Sequence, residues 1–187
     1  MKFKKFLIFL PLLTISASCS TVNYTEPQVG DLSRVRFATN ETDIVVVRAY
    51  ENVECSGESE WMRLRNGMLI NSSPKSLGIS LQNYNKNAFK EFYVSSGKER
   101  VVMFVGATQI GNKVFSCGVP LNLGFLEKNK DYELFYQLAF NSCTVTASEI
   151  QVSSSGEAIK ERLKIYSNSS EDLSNECVAL FKKQRLY

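Results

Sequence analysis

An all-β fold is what this 187-residue sequence predicts: an antiparallel β-sandwich, immunoglobulin- or transthyretin-like, that ends in a short C-terminal helix or a last strand. Three observations carry that expectation. Tyr132, Leu134, Tyr136, Leu138 and Phe140 alternate with Glu133, Phe135, Gln137 and Ala139, the period of a strand with one buried face. A β-branched run at 42–50 and an apolar run at 101–105 read as further buried strands. Polar, glycine-containing turns recur between such runs at the spacing of a sandwich.

The elements follow in order. Residues 1–18 have the layout of a secretory signal: Lys2, Lys4 and Lys5, an apolar run from 6 to 15, then Ser16, Ala17 and Ser18. The apolar run is about half the ~20 residues needed to cross a bilayer. A cysteine directly after small residues resembles the lipobox of bacterial lipoproteins, which implies acyl chains on Cys19 and a mature chain that starts there. Ser16 stands where that pattern usually has leucine, with Ile15 one residue earlier. The alternative, an ordinary cut after Ala17 or Ser18, would leave Cys19 as an odd thiol. Residues 19–32 are polar, carry Pro27 and Gly30, and read as a lipidated, flexible tether; residues 33–187 then form one domain with a C-terminal extension. Removing the leader leaves about 170 residues, enough for a sizeable core.

Within the domain, Arg34-Val35-Arg36-Phe37 alternates charged and apolar side chains. In the next run Val45, Val47 and Ala49 should face the core, because Arg48 on the opposite face would be costly inside. Trp61, Met62, Leu64, Met68 and Ile70 can form a hairpin around Asn66-Gly67. Phe92 and Val94, the turn Ser95-Ser96-Gly97-Lys98, and the run at 101–105 read as another. A third places Leu121, Leu123 and Phe125 against Tyr132 and its successors, with residues 127–131 as the turn. A strand at 144–152 follows, then the loop 153–156 and a stretch at 157–166 that fits helix or strand. Ser170 can cap a last helix carrying Leu173, Cys177, Leu180 and Phe181 on one face.

Cysteine parity points to two disulfides in an oxidising compartment, since Cys55, Cys117, Cys143 and Cys177 remain once Cys19 is lipidated. Opposed residues of an antiparallel hairpin have a constant sum, and a turn centred near Asn129 makes Cys117 and Cys143 opposite or nearly so. Elimination then pairs Cys55 with Cys177. No two cysteines have the two-to-four-residue spacing of a zinc knuckle, so no metal site is expected.

Composition removes much chemistry. The chain has no histidine, which excludes Ser-His-Asp and Cys-His catalysis and the commonest metal ligand. The leader's three lysines account for the whole formal net charge of +3, so the remainder lacks the basic field that nucleic acid binding needs. Ser72–Lys75 and Ser95–Lys98 match a serine-x-x-lysine spacing, but Pro74 and Gly97 place them in turns. The paired carboxylates Glu58/Glu60 and Glu171/Asp172 lie in polar stretches and read as solvated. No cofactor motif occurs. The aromatic residues Trp61, Tyr84, Phe89 and Tyr93 border the least periodic region, 56–90, where binding would reside if it is not simply another hairpin.

The order of features is similar to that of a family of small Gram-negative envelope lipoproteins with a disulfide-containing β-sandwich and no assigned activity. The resemblance rests on Arg34-Val35-Arg36-Phe37, the strand leading to Cys55, Ser76-Leu77-Gly78-Ile79, residues 91–97, Cys117, Lys130-Asp131-Tyr132-Glu133 and Cys143. It implies location and architecture but no catalytic residue. Ser20 after the cysteine, in place of Asp, resembles the outer-membrane sorting signal. The expected protein is a non-enzymatic, lipid-anchored module that binds or assembles an envelope partner, on the periplasmic or the external side of the outer membrane. The alternatives are an accessory or inhibitor lipoprotein of a secretion or cell-wall machine, and a histidine-free cell-wall hydrolase with two converging carboxylates.

Overall fold

The structure, a computed structural model, describes residues 24–39, 44–64, 75–80, 89–110, 112–139, 142–164, 175, 177 and 179. The leader, Cys19, the hairpin expected around Asn66-Gly67, Tyr84, Phe140, Glu171 and Asp172 lie outside these residues, as does most of the stretch expected as a last helix, of which Asn175, Cys177 and Ala179 are described and helical. Nine strands are described: β1 (Leu32–Thr39), β2 (Val45–Tyr50), β3 (Ser59–Leu64), β4 (Phe89–Ser95), β5 (Val101–Ile110), β6 (Lys113–Asn122), β7 (Asp131–Ala139), β8 (Ser142–Val152) and β9 (Ala158–Arg162). They form a five-stranded sheet, β4-β1-β7-β8-β9, packed on a four-stranded sheet, β3-β2-β5-β6. The fold is the expected all-β sandwich. Its pairings are antiparallel except that β1 runs parallel to β7. The stretch at 157–166, open between helix and strand, supplies edge strand β9.

Alternation placed the core correctly. Val35 and Phe37, then Val45, Val47 and Ala49, and then Tyr132, Leu134 and Tyr136 all point between the sheets and are buried. Each large apolar side chain buried there contributes about 1.5–3 kcal/mol. Tyr136 stacks on Phe104 with ring centroids 6.1 Å apart and donates a hydrogen bond to Cys117 O at 3.0 Å. Its ring occupies the space above Gly106, where a Cβ would come within 2.5 Å of the hydroxyl oxygen. The glycine is therefore a steric requirement of the tyrosine.

Two of the expected hairpins are crossovers between layers. The turn after β4 forms as read, with Gly97 at φ +66°, but β4 pairs with β1 in one sheet and β5 with β2 and β6 in the other. Likewise β6 leads through residues 123–130 to β7 in the facing sheet. Alternation reports which side chains are buried, and a turn reports that the chain reverses. Neither tells a paired neighbour from a strand of the opposite sheet, because both bury the same face.

The disulfides are paired as expected, one for a different reason. Cys117 on β6 joins Cys143 on β8, with Cα atoms 5.9 Å apart. The bond staples the two sheets rather than bridging a β6–β7 hairpin, which does not exist. Cys55, in the β2–β3 connection, joins Cys177, with Cα atoms 5.1 Å apart. Around it Tyr50, Val101 and Met103 are buried on the outer face of the four-stranded sheet.

The outer face of the five-stranded sheet is closed differently. Arg36, in a strand whose alternation would send it to solvent, is fully buried at the centre of a charged row. Its register partners on either side are Glu91 of β4 and Glu133 of β7. Arg36 donates to Glu91 Oε1 from Nε (3.0 Å) and Nη2 (2.9 Å), and to Glu133 Oε2 from Nη1 (3.3 Å). Lys160 of β9 completes the row by donating to Glu133 Oε1 at 2.8 Å. Residues 75–80 lie across it. Glu91 Oε2 accepts from Ser76 Oγ and from the amides of Leu77 and Ile79, while Arg36 Nη2 donates to the carbonyls of Ile79 and Ser80. A buried charge is tolerated only when it is paired and hydrogen-bonded, and both conditions are met here.

Candidate binding site at the N-terminal arm

The stretch read as a tether is in part docked on the body. Tyr24 places its ring 4.3 Å from that of Trp61 on β3 and edge-on to Phe92 of β4 at 5.4 Å. Its hydroxyl donates to Tyr93 O at 2.7 Å. Two residues on, Glu26 pairs with Lys75, whose ammonium lies 4.8 Å from the centroid of the Phe92 ring. The arm thus bridges the edges of both sheets, since β3 and β4 are edge strands of opposite layers. Burial holds the Tyr24 phenol well above its ordinary value of 10.0; the Arg100 charge works against this shift and Glu26 adds to it.

Beside the arm is a cavity of about 210 Å³. It sits where β2 ends and β3 and β5 begin, at the opposite end of the four-stranded sheet from Cys117. Tyr24 and Thr25 of the arm, Trp61 and Ser59 of β3, Glu51 and Gly57 of the β2–β3 connection, and Arg100 line it. The Arg100 guanidinium lies over the Trp61 ring, 5.3 Å from its centroid. A guanidinium held over a ring in this way can still donate hydrogen bonds through its N–H groups. The connection is a tight turn: Glu51 N donates to Ser56 O, Ser56 N to Asn52 Oδ1, and Cys55 and Gly57 both have positive φ. A Cβ on Gly57 would meet Glu51 Cδ at 2.6 Å, so glycine lets the carboxylate chain lie across the turn. The Cys55–Cys177 bond anchors this wall.

Of the aromatic residues singled out in the sequence, Trp61 lines the cavity, and Phe89 is buried on β4 next to the charged row, under Arg36. Tyr93 is partly exposed on β4 and meets the arm through its carbonyl. Two residues of the site were missed. Tyr24 was masked by its polar neighbours, and Arg100 looked like one charge in a turn; an aromatic inside a polar leader segment was the available signal. The carboxylate pair Glu58/Glu60 does not converge, because Glu58 pairs with Arg48 and Glu60 with Arg63 at the surface. Ser95 ends β4 and Lys98 follows in the connection to β5, so the two do not share a helical turn. No group of three or more His, Cys, Asp or Glu that could hold a metal occurs among the described residues. No protein-family model, curated protein or solved structure matches the chain.

Proposed function

We propose that this is a lipid-anchored, non-enzymatic binding or assembly module of the bacterial envelope, held at the outer membrane by Cys19 and facing the periplasm. The observation that carries the proposal is the pairing of Cys55 with Cys177 and of Cys117 with Cys143. Four thiols joined in two bonds suit an oxidising compartment, and their pairing leaves Cys19 as the odd cysteine of five, directly after the leader. The docked arm adds a geometric consequence. Tyr24 lies five residues beyond Cys19, so an acylated Cys19 would hold the Trp61 end of the sandwich within about 17 Å of the bilayer. The cavity beside the arm would then face the membrane zone, where a bound group or partner is read.

Radiolabelled palmitate feeding of the native host, with mass spectrometry of the purified chain, tests the anchor. Label should appear on the wild-type protein and vanish in Cys19→Ser, which should move to the soluble fraction. An unmodified mature N-terminus together with free thiols throughout would overturn the proposal. Cleavable crosslinking in membranes should recover one stoichiometric envelope protein if the module assembles with a partner.

A further inference from the structure

The cavity beside the arm is lined by two opposite charges that do not satisfy each other, Arg100, which is partly buried, and Glu51, which is exposed. Among the described residues neither Arg100 nor Glu51 takes part in an ion pair, and their charged atoms stand more than 4.0 Å apart. Other charges around the site are spent: Glu26 on Lys75, Arg48 on Glu58, Arg63 on Glu60. Trp61, Tyr24, Thr25 and Ser59 line the same space. At about 210 Å³ the space is below the range of drug-sized ligand pockets, roughly 300–1,000 Å³, and accepts only a small group.

We infer that this pocket binds a small zwitterion, Arg100 taking its carboxylate or phosphate oxyanion and Glu51 its ammonium, with the connecting carbons against Trp61 and Tyr24. A simple anion would be drawn to Arg100 and repelled by Glu51, and a simple cation would meet the reverse. A molecule carrying both charges on a short chain satisfies the two together. Amino acids have this chemistry in solution, and so does the phosphoethanolamine headgroup of a lipid. The inference deepens the reading of the protein as a binding module and does not invoke its anchor, since Cys19 is not one of the lining residues.

The chain has a single tryptophan, Trp61, so its fluorescence reports on the pocket directly. Full-length protein is titrated with alanine, with O-phosphoethanolamine, and with phosphate, acetate and ethylamine, each of which carries charge of one sign. Vesicles of phosphatidylethanolamine with phosphatidylglycerol, and of phosphatidylglycerol alone, are run in parallel. At least one zwitterion should give a saturable change, with each one-sign probe at least about ten-fold weaker, the scale of one lost charge-assisted hydrogen bond. A response to the free compounds assigns a soluble source; one confined to ethanolamine-containing vesicles assigns the lipid headgroup.

Arg100→Gln and Glu51→Gln should each weaken binding about ten-fold or more, while Arg100→Lys keeps part of it. Gly57→Ala, which displaces the Glu51 side chain, should resemble Glu51→Gln. Circular dichroism and a thiol count establish that each variant keeps its fold and both disulfides. The inference is overturned by no saturable response to any zwitterion, free or in vesicles, by phosphate binding as tightly as O-phosphoethanolamine, or by folded Gln variants that bind like wild type. An unacylated Cys19 with intact zwitterion binding would instead sink the anchor alone.

Discussion

The two outer faces of the sandwich solve one problem with different physics. Each sheet has, besides its core face, a second face that is in part covered. On the four-stranded sheet, Tyr50, Val101 and Met103 are buried in an apolar patch fastened by Cys55–Cys177. On the five-stranded sheet, residues 75–80 are fastened by Arg36 and Glu91, with Ile79, Ile150 and Ala158 as the apolar cluster among the described residues. The first cover is a covalent clip over greasy side chains, tolerant of shape and sensitive to reductant. The second is a lattice of charge-assisted hydrogen bonds, indifferent to reductant and intolerant of losing any member. A sheet can therefore bury charge as completely as it buries leucine, provided that each donor meets an acceptor.

Breaking the covalent cover should give the largest effect. Cys55 and Cys177 are 122 residues apart, and the chain-entropy model assigns a loop of that size about 4–5 kcal/mol. Cys55→Ala with Cys177→Ala should lower the midpoint of denaturant unfolding accordingly, and should raise binding of a hydrophobic dye as Val101 and Met103 become exposed. If the stability is unchanged, the apolar patch holds without its clip.

The charged cover comes next. Arg36→Met leaves Glu91 and Glu133 without their shared cation and should cost about 3–5 kcal/mol. Arg36→Met combined with Glu91→Leu should cost less than the sum of the two single changes, by about 1 kcal/mol or more, because Lys160 still pairs Glu133. Additive behaviour in that double-mutant cycle would mean that the row does not act as a unit. Neither variant should respond to reductant differently from wild type, which separates the two covers experimentally.

Gly106→Ala probes the core that both faces share. It should cost about 1–3 kcal/mol by pushing the Tyr136 ring off Phe104. Adding Tyr136→Phe should recover little, because the ring itself, and not the hydroxyl alone, fills the space.

The smallest effect is at the arm. Tyr24→Phe removes the hydrogen bond to Tyr93 O and should cost about 0.5–1.5 kcal/mol, read by Trp61 fluorescence. Burial raises the Tyr24 pKa above its ordinary 10.0, so docking favours the protonated phenol. Its contribution is complete below pH 10 and is lost as pH rises above it, so wild-type Trp61 emission should shift in alkali while that of Tyr24→Phe should not.

Much of the fold was readable before any coordinates. Period-two alternation at 132–138 and the Val45–Val47–Ala49 face named the core, because burial follows polarity residue by residue. Parity named the disulfide set. What failed was pairing: the arithmetic that put Cys117 opposite Cys143 assumed a hairpin, and the bond exists because β6 and β8 face each other from opposite sheets. The pocket was half readable. Trp61 was noticed as a large aromatic in an irregular region, whereas Tyr24 and Arg100 reach it from 37 and 39 residues away, a meeting no local pattern encodes.

Amino-acid order alone determined that strands form, which of their faces are apolar, that histidine chemistry is absent and that four cysteines can pair. Tertiary structure alone decided that Arg36 is buried, that the turns after β4 and β6 cross between sheets, and that Glu51 and Arg100 share one cavity. The reason is that polarity and periodicity act within a few residues. The cost of burying a charge, or of leaving one unpaired, depends on groups that only the folded chain brings into reach.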